Sequence, residues 1–477
     1  MRTSPERRSA LRPTAYERHA PPAAAVDAAL AGSRPAVFWL EDARGPAYAP
    51  LTGTVTTDLA VVGGGYCGLW TAVLAKRRDP GRRVVVLEAG TVGWAASGRN
   101  GGFVEASITH GEENGRRRWP EEYDELERLG HDNLDALEAD VRDLGLDCDF
   151  ERTGVLSAAV ETHQVPWIEG DAGFLDHDAV RAEIDSPLFL AGSWDRDGCA
   201  LVHPARLAHE LARVASELGV EVHEHTRVTG LDAPARGPVT LHTDRATVRA
   251  DHVALATNVF PSLLRRTRLL TVPVYDYVLM TEPLTAEQRA AIGWEHRQGL
   301  GDLANQFHYS RLSADGRILW GGYDAVYHRG GRVRAAYEER PESFRRLASH
   351  FLAAFPQLEG IRFSHRWAGA IDTSTRFSAF HGLAMRGRVA YAAGFTGLGV
   401  GATRFAAEVM LDRLSGASTP RTRLEMVRRP PVPFPPEPLA AVGIDLTRWS
   451  LDRADHRQGR RNAWLRTLDA VGLGFDS

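Results

Sequence analysis

The chain has 477 residues, 43% hydrophobic and 25% charged, the balance of a soluble globular protein with room for two or three domains. A formal net charge of −4 and a pI of about 6.5 argue against nucleic acid or an anionic membrane as partner. The only lysine is Lys76, and the three cysteines, Cys67, Cys148 and Cys199, lack metal-type spacing, which removes most lysine-based catalysis and any Cys-based metal site.

Residues 1–54 read as an extended arm anchored by Phe38 and Trp39. The arm has no signal-type apolar core, and no stretch of about 18 apolar residues follows anywhere, so a cytoplasmic protein without a transmembrane helix is expected. Leu59–Val62 is a β-branched run of strand length. It ends in the turn Gly63-Gly64-Gly65-Tyr66-Cys67-Gly68, a helical pattern follows, and a second strand, Val84–Leu87, leads into Glu88 and Ala89. This is a βαβ unit with G-x-G-x-x-G at its first turn and a carboxylate about 20 residues on, the pattern of an adenine dinucleotide site. Gly63 permits the tight turn, Gly65 admits a pyrophosphate, and Gly68 lets helix and strand approach. The helix N-terminus offers free N–H groups to phosphate, and Glu88 accepts from ribose hydroxyls.

A second glycine segment follows, Gly93-Trp94-Ala95-Ala96-Ser97-Gly98-Arg99-Asn100-Gly101-Gly102. Its sparse side chains let the backbone lie along an extended cofactor. Residues 120–146 read as a long amphipathic helix, and 148–195 as short strands and turns. A helix and a strand follow from Val202, with Gly219 as the helix stop. Strands at 239–241, 247–250 and 252–256, the last running into Thr257 and Asn258, suit a return to the dinucleotide sheet. Residues 272–326 are rich in long strands, with a hairpin signal at Ala314-Asp315-Gly316, and a helix is expected over 338–355. A third glycine turn, Gly394-Phe395-Thr396-Gly397-Leu398-Gly399-Val400-Gly401, opens a helix over 402–414. A proline-rich linker at 428–438 precedes an amphipathic tail.

The strings VVGGGYCGLWTA, GWAASGRNGGF, VHPARLAHELARVASELGV, ALATN, SADGRILWGG and AAGFTGLGVGAT together resemble the FAD-dependent D-amino acid oxidase superfamily over roughly residues 55–416. SGRNGG is most similar to the γ-glutamylputrescine oxidase branch. The resemblance implies an α/β fold with a discontinuous Rossmann-like FAD-binding domain and a substrate domain built on a large mixed or antiparallel sheet. The expected division is an arm at 1–54, the FAD domain at 55–110, 196–271 and 365–416, the substrate domain at 111–195 and 272–364, and a linker and tail at 417–477.

The resemblance also implies FAD bound by Gly63, Gly65, Tyr66, Cys67, Gly68, Glu88, Ala89, Ser97, Gly98, Arg99, Asn100, Gly101, Gly102, Val228, Thr257, Asn258, Gly394, Thr396, Gly397, Leu398, Gly399 and Val400. The third turn would face the isoalloxazine N1–C2=O. No cysteine matches the late cysteine that holds flavin in sarcosine-oxidase relatives, so non-covalent FAD is expected, with His110 as the one alternative. Those relatives also carry an oxygen-activating lysine where this chain has Trp320.

The implied reaction is oxidation of a C–N bond in a small amine or amino acid by hydride transfer to flavin N5, giving an imine that hydrolyses. Electrons then pass to O2 or another acceptor. The alternatives are an NAD-dependent dehydrogenase and a non-catalytic flavin-binding protein. The expected substrate-site residues are Tyr277, Tyr309, Arg311 and Trp320. Tyr275 and Tyr277 share one strand face, Phe307, Tyr309 and Arg311 another. Arg311 is either a carboxylate clamp or a solvent-facing arginine. Trp320 and Tyr323 either wall the flavin or pack a core. Neither the substrate nor the oligomeric state follows from the sequence.

Overall fold

The computed structural model describes residues 11–474. Two sheets organise them. The first is built on Gly53–Val62, whose last four residues are buried on both faces, as a central parallel strand requires. Val84–Leu87 pairs with it in parallel, Leu59 opposite Val84 and Val62 opposite Leu87, and Glu221–His223 continues the sheet beyond. On the other side runs Ala246–Leu255, also parallel. It is one strand where the pattern suggested two, because the ladder to Gly53–Val62 continues across the exposed Asp251. Its C-terminal end also pairs in parallel with Val389–Ala393, and antiparallel strands complete the edges.

Helices Tyr66–Arg78, Pro204–Glu217 and Gly399–Leu414 pack on one face of this sheet through Leu69, Val73, Leu207, Leu211, Ala406 and Met410. A Cβ on Gly68 would lie 1.9 Å from the Gly63 carbonyl oxygen, so only glycine lets the first helix sit this close to its turn.

The second sheet has ten strands among the described residues. Its centre is Thr271–Thr281, paired antiparallel with Phe363–Ser374 on one side and Ile318–Gly322 on the other. His308–Leu312, Gly299–Asp302, Val155–Ala159, Ala191–Asp195 and Phe174–Leu175 continue outward. The Ala314-Asp315-Gly316 signal is the tip of the hairpin in which Leu312 pairs with Ile318. Two pairings are parallel, Arg34–Pro35 with Phe363–Ser374 and Gly299–Asp302 with Val155–Ala159, so the sheet is mixed. Helix Pro341–Ala354 covers one face with Phe344, Leu347 and Phe351. The other face turns toward the first sheet.

The structure differs from the sequence reading in three places. The arm is not simply extended: it forms helices Ala15–Arg18, Ala23–Leu30 and Phe38–Asp42, with Phe38 and Trp39 buried. Its beginning, residues 1–10, lies outside the described residues, as does the end of the tail, 475–477. The domain boundary drawn at 365 falls inside Phe363–Ser374, which belongs wholly to the large sheet. Its partner strand lies about 90 residues earlier in the chain, a pairing that local pattern does not encode. The tail contains helices Leu439–Asp455 and Ala463–Ala470, and the Asp455 carboxylate accepts from the Asn305 and Gln306 amides. No helix among the described residues is long and apolar enough to cross a membrane.

Candidate functional site

The first glycine turn sits at the C-terminal edge of the parallel strands, where open α/β sheets bind ligands. Gly63 has φ +116°, and a Cβ there would lie 2.4 Å from the Ala256 carbonyl oxygen. Glu88 is buried at the end of the next strand. Its Oε2 accepts from the Gly64 amide at 2.6 Å, and its Oε1 accepts from the Gly90 amide at 2.7 Å and Trp94 Nε1 at 2.8 Å. Gly65 caps the Tyr66–Arg78 helix without a side-chain bond, so first-turn N–H groups and their partial positive charge face outward.

The Tyr66 amide donates to Ser97 Oγ at 3.0 Å, and the Tyr66 hydroxyl to the Pro204 carbonyl at 2.8 Å. Cys67 is buried, and burial, with Asp372 nearby, pushes its thiol up, away from the reactive thiolate. Ala89 is exposed beyond Glu88. The Thr226 amide donates to the Glu88 carbonyl, which brings Val228 beside the same strand end. Thr257 and Asn258 follow Ala256, whose amide donates to the Val62 carbonyl, so they lie next to the turn as well.

The second glycine segment is a braced turn. Asn100 Nδ2 donates to the Ala96 and Ser97 carbonyls, its Oδ1 accepts from the Gly102 amide, and its own carbonyl accepts from Trp39 Nε1. A Cβ on Gly98 would strike the Gly93 carbonyl oxygen at 2.4 Å, and one on Gly101 the Tyr309 ring at 2.8 Å. Arg99 corrects its expectation as a cofactor residue. Its Nε donates to the Trp94 carbonyl and its Nη1 pairs with Glu338 at 2.6 Å, so the guanidinium is turned to the substrate half.

In the third turn the Gly394 and Phe395 amides donate to the Asp372 carboxylate at 2.5 and 3.2 Å. Thr396 Oγ1 donates to the Gly394 carbonyl and accepts from the Ser374 amide. Asp372 is 2% exposed, and burial pushes its carboxyl up to about 7 despite those amide bonds. Gly397 has φ +92° and faces open space. Leu398 caps the Gly399–Leu414 helix, again without a side-chain bond, and Gly399 and Val400 form its first turn. The two uncapped helices pack against each other, so two positive helix ends stand on one edge of the sheet.

Across the cleft lies the large sheet, and strand alternation sorts the expected substrate-site residues. Tyr277 and Trp320 lie on the helix-covered face and belong to its core. The Tyr277 hydroxyl donates to the Tyr337 carbonyl at 2.7 Å and its ring meets Phe344 edge-on; Trp320 is 2% exposed, edge-on to Phe351 and Phe355. Arg311 shares the cleft-side face but is 2% exposed, and its Nη1 donates to the Val202 carbonyl at 2.6 Å. Burial lowers its guanidinium to about 10, and it has no surface left to offer a substrate carboxylate. The corrections at Tyr277 and Trp320 share one cause: a period of two shows that a strand has two faces but not which one a helix covers.

Tyr309 is half-buried in the cleft. Its ring lies over Gly321, and its hydroxyl donates to Asp276 Oδ2 at 2.5 Å. The sequence reading passed over Asp276. The signal was there, a single charge in the apolar strand PVYDYVLM. Asp276 is partly exposed yet crowded, and burial pushes its carboxyl up to about 6 against bonds from Tyr309 and the Tyr277 and Gly322 amides. His308, on the opposite face, bonds Asp302 and His350 in a buried network that also takes the Tyr16 hydroxyl. Among the described residues no group of three or more His, Cys, Asp or Glu is placed to hold a metal.

Comparison with known proteins agrees with this architecture. γ-Glutamylputrescine oxidoreductase of Escherichia coli (strain K12) is 29% identical over 394 residues, covering 77% of this chain and 87% of that protein. The structure of glycine oxidase from Geobacillus kaustophilus superposes with a TM-score of 0.62 at 20% identity, covering 77% of this chain and 96% of that one. L-proline dehydrogenase from P. horikoshii gives the same TM-score at 18% identity, with the same coverage of both chains. Residues 58–413 match the DAO family, described as FAD dependent oxidoreductase. That span takes in all three glycine turns and nearly all of both sheets, and the chain therefore belongs to the DAO family of FAD-dependent oxidoreductases.

Proposed function

We propose that this flavoenzyme oxidises the C–N bond of a small amine or amino acid in the cleft between the two sheets. The observation that carries the reading is the pair of uncapped helix N-termini, each behind a glycine turn, set on one edge of the parallel sheet and facing a second sheet. Side-chain-free space at Gly397 and the glycine-only approach at Gly63 and Gly68 fit an extended dinucleotide that also reaches the third turn.

In this reading the first-turn amides that Ser97 does not engage take the pyrophosphate, and Glu88 takes the ribose hydroxyls through the lone pairs its three bonds leave. Ala89, Val228, Thr257 and Asn258 line the adenosine end. Ser97, Gly98, Asn100, Gly101 and Gly102 shape the middle. Thr396, Gly397, Leu398, Gly399 and Val400 face the N1–C2=O edge, where a helix N-terminus stabilises negative charge. The Gly394 and Phe395 amides, held by Asp372, fix that turn from behind.

Bound FAD supplies the hydride acceptor, N5. The chain supplies position and exclusion of water, and the imine product hydrolyses after release. FAD is held non-covalently: the three cysteines are buried and unpaired, and such thiols suit a cytoplasmic setting. The test is an anaerobic titration of the purified protein with a panel of amines and amino acids, following the oxidised-flavin band. Bleaching by a member of the panel supports the reading. A flavin that none of them bleaches overturns it. Readmitting air then separates O2 from another electron acceptor.

A further inference from the structure

Asp276 is a carboxylate that the central strand of the large sheet turns toward the cleft without a cation beside it. Its cross-strand neighbour is Gly369, where a Cβ would lie 3.9 Å from Arg99 Cβ, and Tyr309, which holds its Oδ2, lies against Gly101. Both contacts belong to the second glycine segment, so Asp276 stands where the substrate sheet meets the dinucleotide side. Gly321 and Gly101 make room for the Tyr309 ring, and Gly369 leaves the cross-strand side of Asp276 without a side chain. The other charges facing it are accounted for. Arg99 is paired with Glu338, Asp324 beyond Gly322 is paired with Arg340 and Arg346, and Arg311 is buried against backbone carbonyls. Among the described residues, the arginines on this wall already have partners, Arg99 in Glu338 and Arg311 in backbone carbonyls.

We propose that Asp276, steered by Tyr309, receives the ammonium group of the substrate, and that the preferred substrate is accordingly a cationic amine without a carboxylate beside the reacting C–N bond. This rests on the amine-oxidation reading above and narrows its substrate class. Two kinds of observation converge. A carboxylate in a crowded site is costly unless a cation or several hydrogen bonds meet it, and here burial outweighs the three bonds it accepts, pushing the carboxyl up. The Tyr309 bond takes up Oδ2, fixes the rotamer and leaves Oδ1 free of any side-chain donor.

The test uses the holoenzyme and tert-butylamine, a cation with no hydrogen on its α-carbon, which binds without being oxidised. Its affinity is read from the perturbation of the flavin spectrum. Asp276→Asn is expected to weaken it by roughly tenfold to a hundredfold, the worth of one charge-assisted hydrogen bond. Binding of pivalate, the anion of similar shape, should hold or tighten. Asp276→Glu should recover part of the affinity. Should the Asn variant not fold, the wild-type protein still decides the matter. Affinity for tert-butylamine should fall as pH drops through about 6, where the carboxyl takes up its proton. Equal affinity in wild type and Asp276→Asn, a pH-independent affinity between 5 and 8, or faster flavin reduction by glycine than by n-butylamine would each overturn the proposal. Failure of every substrate to bleach the flavin would instead count against the amine-oxidation reading, since tert-butylamine binding is measured without turnover.

Discussion

The two faces of the large sheet are made by alternate residues of the same strands, and they are chemically opposite. The helix-covered face carries Tyr275, Tyr277, Leu279, Ile318 and Trp320, interlocked with Phe344, Phe351 and Phe355. The other face carries Val278, Met280, Leu319 and Trp367, packed against Phe38 and Trp39 of the arm, and beside them Asp276, Tyr309, Gly321 and Gly369. Around Asp276 bulk is replaced by glycine backbone and a single tyrosine. Aromatic residues in a strand-rich segment advertise packing before they advertise a site, and glycines with one isolated charge mark the functional surface better.

The contrast is broken most directly by Trp320→Ala. On the core face this opens a large cavity, and denaturant unfolding should show a loss of about 3–5 kcal/mol. A loss within the error of the measurement would move Trp320 out of the core. Gly321→Val tests the other face. A Cβ there meets the Tyr309 ring at 2.6 Å, so the ring must shift, with an expected cost of about 1–3 kcal/mol and loss of amine binding. Unaltered amine binding would mean that the Tyr309 seat is not part of the site.

Deleting one hydroxyl on each face sharpens the comparison further. Tyr277→Phe and Tyr309→Phe each remove a single hydrogen bond, so each should cost about 0.5–1.5 kcal/mol in unfolding experiments. Only Tyr309→Phe should also weaken tert-butylamine; parallel behaviour of the two variants would erase the distinction between the faces.

The last prediction concerns pH. Asp372 has a folded-state carboxyl raised to about 7, above its unfolded value of 3.8. The folded chain keeps that proton where the unfolded chain has released it. The contribution is full below the unfolded value and is lost as pH rises through about 7. Melting temperature should therefore decline from about pH 4 to about pH 7 and level off above it, and Asp372→Asn should flatten that slope. An unchanged slope would show that Asp372 is ionised throughout.

Much of this was written locally. The βαβ unit was legible because its strand, turn, helix and carboxylate are consecutive, and Val84–Leu87 occupies the predicted residues. The helix after the third turn was legible for the same reason, although it starts at Gly399 and not at 402. The partner of Phe363–Ser374 and the side to which Trp320 points depend on pairings and helix docking across long stretches of chain, and local periodicity does not carry them. Arg311 was misread because an arginine on a strand looks the same whether it meets a substrate or, as here, two backbone carbonyls. Asp276 was legible in composition but not in meaning until Tyr309 was seen beside it.

The short strand Arg34–Pro35 has a further consequence. It pairs with His365 and Arg366 near the start of Phe363–Ser374, the 12-residue strand that would otherwise form this edge of the large sheet with a row of unsatisfied backbone groups. Pro35 has no N–H to donate, so the row ends there and recruits no further strand. The N-terminal segment thus acts as a built-in guard against edge-to-edge self-association. Loss of that segment should appear first as aggregation on storage, before any change in the chemistry of the cleft.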